Sequence, residues 1–369
     1  MNKWVFFLGC IIAYICVFME AHSLRRNRPV AIWLYIGAIM IVVQILLGGI
    51  TRLTGSGLSI TEWQPILGAL PPMNEEAWQQ AFQKYQQIAQ FKYINNHFDL
   101  EDFKAIYFWE WLHRDWGRLL GFVFLFPFIY FVVKKKIVKS MIGPMIILFL
   151  LGGLQGVIGW IMVKSGIGTD LVYVSHIRLA VHFIAALVLL AYVIWFALKI
   201  TVPENRLIDN KPLKRLNIWL LVIVTFQLIY GAFMAGTHAA LAAPTWPDIN
   251  GHWVPSQQML NQGSFIADIT HNLISIQFIH RTLAYLITIL VVVWTFKSAK
   301  LPKTSVLYQV RFIPLAAVLV QVLLGVLSLV NSINDMMLTY SILHQFGGIV
   351  LMSIMVFTYF YSRGAKIRG

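Results

Sequence analysis

The chain has 369 residues, of which 59% are hydrophobic and 12% charged, with a mean hydropathy of +0.71. A soluble protein of this length needs far more charge to cover its surface, so the composition excludes a soluble globular fold and requires an integral membrane protein. The net charge of +14 does not imply nucleic acid, because the basic residues fall in short clusters between apolar stretches.

The first apolar stretch, Trp4 to Met19, is short and ends at Glu20. It reads as a ninth span with its N-terminus outside or as a cleaved signal-like segment. It has no strong basic n-region and no A-x-A site, so an uncleaved extra helix is the expectation for residues 1–29. Cys10 and Cys16 lie on it, about 240° apart around a helix, which disfavours a disulfide. No Arg- and Ser-rich presequence is present, which favours a bacterial plasma membrane over a mitochondrial precursor.

Eight longer stretches follow, over 30–51, 108–133, 141–163, 175–199, 215–236, 273–296, 311–331 and 337–361. Each is about the length a helix needs to cross a bilayer. The clusters Arg25/Arg26/Arg28, Lys134–Lys136, Lys211/Lys214/Arg215, Lys297/Lys300 and Arg363/Lys366/Arg368 occupy alternate loops. Under the positive-inside rule these loops are cytoplasmic. The fold class is therefore all-α and polytopic, an eight-helix core with both ends inside.

Two outside loops are long. In the first, about 52–107, Asn74 reads as an N-cap for a helix carrying Trp78, Phe82 and Tyr85 on one face, placed on the membrane surface or capping the bundle. The second, about 237–272, is rich in Pro, Gly and Trp and reads as irregular structure.

The spans repeat. Four carry Gln-x-x-x-Gly, at Gln44/Gly48, Gln155/Gly159, Gln227/Gly231 and Gln321/Gly325. Four others carry one histidine with a small residue four positions on, at His113/Gly117, His182/Ala186, His280/Ala284 and His344/Gly348. The two classes alternate, and the spacings His113–His280 and His182–His344 are 167 and 162 residues. Two tandem four-helix units follow, 30–200 and 201–369. The Gln-x-x-x-Gly pattern reads as helix packing. Four histidines paired by a repeat at similar depth are a stronger signal, since ionisable groups inside a membrane are functional by default. Two imidazoles on facing helices suit an axial pair on a haem iron, in the core of a bundle. Zinc is a weaker reading without cysteine or carboxylate partners. The small residue after each histidine is expected to admit the macrocycle edge.

Glu110 precedes His113 by three residues and shares its helix face, whereas Gln277 stands at the matching place before His280. One acid-bearing and one acid-free site suggest one catalytic and one electron-transfer centre, with Glu110 moving protons. Arg114, Arg118, Arg178 and Arg281 lie near the same level, as interfacial anchors or as partners for haem propionates. His176 and His271 read as interfacial, and His22, His97, His238 and His252 as loop residues.

With these residues in place, the chain resembles the haem A synthase family, in its larger, cysteine-poor type of Gram-negative bacteria and mitochondria. The resemblance spans about 30–361 and rests on GGITRLTGSGLSITEWQPILGALPP at 48–72, EWLHRDWGRLLG at 110–121, RLAVHF at 178–183, WPDINGHWVP at 246–255, HRTLAYL at 280–286 and HQFGG at 344–348. It implies oxidation of the C8 methyl of haem O to a formyl group by successive hydroxylation, giving haem A for cytochrome oxidase. It implies that His113 and His182 hold the substrate haem, that His280 and His344 hold a haem b cofactor, and that Glu110 is catalytic. A haem O synthase is the implied functional partner, beside the lipid bilayer and an unnamed electron acceptor, and a homo-oligomer is compatible with it. The family's other branch pairs cysteines in outside loops; this chain has none there. The segment GTHAALAAPTWPD departs from the family's usual run, leaving His238 without a role. The alternative of another class is a two-haem electron carrier oxidising quinol, and a transporter ranks third for want of broken helices.

Overall fold

Each of the eight apolar stretches forms one long helix in the computed structural model, which describes residues 28–62, 67–261, 263–334 and 336–364. The helices are α1 (Arg28–Leu53), α2 (Leu100–Val133), α3 (Lys139–Val163), α4 (His176–Thr201), α5 (Lys211–Thr237), α6 (Leu273–Ser298), α7 (Ile313–Val330) and α8 (Met337–Ser362). All are long and apolar enough to cross a membrane. Among the described residues there is no strand beyond two isolated bridges, so the chain is an all-α polytopic membrane protein. The N-terminal segment, with Cys10, Cys16 and His22, lies outside the described residues.

Seven of the eight helices keep to their expected bounds within about a turn. The exception is α2, which begins at Leu100 rather than 108. Asp99 starts it with a capping box: its side chain accepts from the N–H groups of Glu101 and Asp102 at 2.8 and 2.9 Å, and Asp102 accepts from Asp99 N at 3.2 Å. The added turns carry charge, so they do not read as membrane helix. Their apolar side, Phe103 and Ile106, instead packs into a small core with Leu58, Phe82, Tyr85 and Ile88. The helix Glu75–Tyr85, with Asn74 as its N-cap, thus covers the protein's own loop end. Tyr85 binds Gln90 and Asn95, and Gln90 reaches Gly55 O at 3.1 Å, tying this cap to the end of α1.

In the first half α1 packs on α2 and α4, and α3 on α4; in the second, α5 packs on α6 and α8, and α7 on α8. The halves meet through α4 against α5 and through α8 against α1 and α4. At the end away from the long loops, Asn217 on α5 bonds Thr358 and Ser362 on α8, all buried. The other end holds the histidines.

Candidate active site

The two repeated motifs fit into each other. On α1, Gly48 faces His113 of α2: a Cβ there would stand 3.1 Å from the imidazole Cε1. The same relation holds for Gly159 and His182 at 3.2 Å, Gly231 and His280 at 3.4 Å, and Gly325 and His344 at 2.8 Å. Each glycine is therefore a seat for an imidazole from the neighbouring helix. The exchange is mutual in two of the pairs. A Cβ at Gly117 would meet Gln44 Nε2 at 3.5 Å, and one at Gly348 would meet Gln321 Nε2 at 3.4 Å. The small residue after these two histidines makes room for a glutamine. Small residues allow the close backbone approach that polar side chains then bridge.

The glutamines hold the histidine turn. Gln44 Nε2 donates to His113 O at 3.0 Å and lies 3.2 Å from its Nδ1; Gln321 Nε2 donates to His344 O at 2.9 Å; Gln227 Nε2 lies 3.2 Å from His280 Nε2. His344 Nδ1 in turn faces Gln321 O at 3.2 Å.

All four histidines line one continuous cavity of about 1180 Å³ that runs through both halves. The rings of His280 and His344 are 6.2 Å apart, centroid to centroid. Two imidazoles sharing one metal atom need about this spacing, since each metal–nitrogen bond is about 2 Å. Among the described residues no three His, Cys, Asp or Glu side chains converge as a metal cage. The donor set is thus imidazole pairs, which suit an iron whose remaining positions a porphyrin fills. The buried nitrogens His182 Nδ1 and His280 Nδ1 have no partner in the protein. Buried polar groups without partners are costly, and a ligand-binding site is where they are tolerated.

Glu110 is buried at 2% exposure and lines the same cavity. Three donors converge on it: Ser59 Oγ at 2.7 Å, Ile60 N at 2.9 Å and Arg114 Nη2 at 2.6 Å. Arg114 also donates to Ile60 O and Glu62 O at 3.0 and 3.1 Å. The second half repeats this clamp without the charge. Gln277, fully buried, donates to Ala239 O at 3.0 Å and accepts from Arg281, which also donates to the carbonyls of Asp248 and Thr245 at 2.7 and 2.8 Å. Both arginines lock a loop over a histidine pair. Arg178 donates to Ile161 O at 2.9 Å, and Arg118 donates to Asp115 at 3.4 Å and lines the cavity.

Ser59 and His238 gain roles the sequence alone did not give them. His238 stops α5 in the left-handed region at φ 54°, where Gly55 at φ 68° closes the α1 end. Histidine is among the side chains that tolerate this conformation. Its Nε2 accepts from Arg52 Nη2 at 2.9 Å, and Arg52 also donates to Gly236 O at 2.9 Å, under the ring of Tyr173. Because the guanidinium can only donate, Nε2 carries no proton. Burial, and then the Arg52 charge, push the His238 pKa down to about 4. His176 and His271 lie ring to ring at 4.9 Å and bond Thr270, a local contact at the loop end; His252 is exposed.

Residues 31–356 match the family model described as "Cytochrome oxidase assembly protein", COX15-CtaA. The protein named "Heme A synthase" in Flavobacterium johnsoniae is 37% identical over 337 residues, covering 90% of this chain and 98% of that protein. Those of Flavobacterium psychrophilum and Wolbachia pipientis wMel carry the same name. The first is 39% identical, covering 91% of this chain and 98% of its own length. The second is 38% identical, covering 94% of each.

Proposed function

The chain belongs to the COX15-CtaA family of cytochrome oxidase assembly proteins, and we propose that it is a haem A synthase, oxidising the C8 methyl of haem O to a formyl group by successive hydroxylation to give haem A. One observation carries this reading. The same arginine clamp closes on a carboxylate beside His113 and on an amide beside His280. An electron carrier gains nothing from a carboxylate at one of two like irons. An enzyme with one substrate haem and one resident haem needs an acid–base group at the first alone.

Residues 30–200 are the substrate unit, with His113 and His182 holding the iron of haem O. Residues 201–369 are the cofactor unit, with His280 and His344 holding haem b, which when bound supplies one-electron redox chemistry. Glu110 is the catalytic residue. Fixed by Ser59, Ile60 and Arg114, its carboxylate holds and moves the proton at the reacting edge. Arg114 and Arg281, beyond their loop contacts, balance the haem propionates; the buried, unpartnered Nε of Arg281 supports this. The basic clusters lie at the end away from the histidines, so the positive-inside rule puts the sites toward the periplasmic face of a bacterial inner membrane. A haem O synthase supplies the substrate, and an electron acceptor completes the reaction.

The test is expression of the chain beside a haem O synthase, followed by haem extraction and chromatography. Haem A is the expected product. Haem O left unchanged, with haem b in both units, would replace the enzyme by the two-haem carrier.

A further inference from the structure

The two halves place their histidine pairs alike, but the space beneath the pairs is different. Aligning Gln155 with Gln321 and Gly159 with Gly325 puts Gly152, Gly153 and Gly156 of α3 opposite Val318, Leu319 and Val322 of α7. Aligning Gln44 with Gln227 puts Gly37 of α1 opposite Leu220 of α5. A Cβ at any of these four glycines would meet nothing within 4 Å, whereas Leu220 is fully buried and Val318 nearly so. At Gly37 and Gly152 the first half has open space where the second has the buried side chains of Leu220 and Val318, while Leu319, opposite Gly153, faces outward at 54% exposure.

The cavity follows this difference. In the second half its wall ends at Ile287 and Leu351, each seven residues past its histidine. In the first half it continues to Phe124 and Val193, each eleven residues past its histidine, and includes all four glycines. At 1.5 Å per residue the deeper wall lies about 16 Å below the imidazoles, against about 10 Å in the second half. The buried, unpartnered Gln155 Oε1 and His182 Nδ1 stand at the head of this shaft and line the same cavity.

We propose that the glycine-lined shaft below His113 and His182 is the binding site for the long isoprenoid side chain of the substrate haem, and that Gly152, Gly153 and Gly156 make the first half select a tailed haem where the second accepts only a tailless one. The proposal rests on the reading of this half as the substrate unit. A haem set with its propionates at the polar loop end turns its C2 substituent, at the opposite edge of the ring, into the membrane interior. In haem O that substituent is a hydroxyethylfarnesyl chain; in haem b it is a vinyl group. The shaft is apolar along the depth such a chain requires, and since lipid and detergent are as apolar as the chain, the open volume beside the glycines, rather than release from water, is what admits the tailed haem.

The test carries the sequence of one half into the other. The full-length chain with its resident haem, as wild type and as Gly152→Val/Gly153→Leu/Gly156→Val, is titrated in detergent with haem O and with protohaem, following Soret absorbance. Side chains replacing helical glycines raise helix propensity, so the variant is expected to fold and to keep its resident-haem spectrum. Haem O affinity should fall by at least about tenfold, about 1.4 kcal/mol, with protohaem changed by less than about twofold. Equal haem O affinity in both proteins overturns the proposal. So does a parallel loss of both haems, which would make the glycines part of the porphyrin seat. If the triple variant does not accumulate, Gly156→Val alone reads the same ratio. Because the readout is a ratio of affinities, it stands whether or not the chain forms haem A.

Discussion

Arg52 and His238 meet side chain to side chain at 2.9 Å, joining the last turn of α1 to the residue that ends α5. These residues belong to different halves, and their contact lies on the wall of the shared cavity. It makes the seam between the halves sensitive to acid. His238 has a folded pKa lowered to about 4, against about 6.5 for an ordinary histidine. A lowered histidine pKa means that the unfolded chain binds the extra proton first. The stabilisation is therefore complete above about pH 6.5 and is lost as the pH falls toward 4, by at most about 1.4 kcal/mol per pH unit. Thermal unfolding of the solubilised protein between pH 7 and pH 5 should show a slope to which His238 contributes this share, and His238→Gln should lower it by that amount. An unchanged slope in the variant would place the titrating group elsewhere.

Glu110→Gln copies what the second half already contains, since Gln277 sits in the same arginine clamp. The substitution should therefore leave folding and haem spectra intact while lowering turnover by about 10²- to 10⁴-fold, the usual worth of a positioned acid–base group. Haem A yield and the visible spectrum, measured on the same preparation, separate the two effects. Loss of the spectrum would make Glu110 a structural brace for the Ser59–Ile60 loop.

The imidazole seats give a paired expectation. A Cβ at Gly325 would stand 2.8 Å from His344 Cε1, but one at Gly231 would stand 3.4 Å from His280 Cε1. Gly325→Ala must push the His344 ring aside, at a cost of about 1–3 kcal/mol, and haem b occupancy should fall several-fold. Gly231→Ala makes ordinary contact and should change occupancy by less than about twofold. Pyridine haemochrome assays of both variants decide it; equal losses would show that the seats do not set ring position.

His280→Ala removes one of the two imidazoles proposed to hold haem b. The purified variant should lose the haem b signal, with the first-half site still able to take haem O. A bis-histidine spectrum of unchanged intensity would contradict the assignment of His280.

Much of this was legible because the membrane restricts what a sequence can mean. Spans such as 337–361 and Met337–Ser362 agree closely since only a helix satisfies its backbone in lipid. The matching of His113 with His280, of His182 with His344 and of Glu110 with Gln277 could be read from the duplication. Three features could not. The segment Leu100–Tyr107 is charged and looks like a loop until Phe103 is seen packed against Tyr85. The glycine of each Gln-x-x-x-Gly reads as helix-packing space, and only the neighbouring helix shows that an imidazole occupies it. Arg52 and His238 are 186 residues apart, and no local pattern announces a contact made by folding one half against the other.

Because backbone, rather than a side chain, forms the seat for each imidazole, the four histidine rings are held at points that depend little on what lies above or below. Such a scaffold is modular. The two copies can then differ, one with a carboxylate and the other with an amide in the same arginine clamp, while the four histidines stay in register. A difference of task between the halves needs only a change of surroundings, with the histidines left where they are.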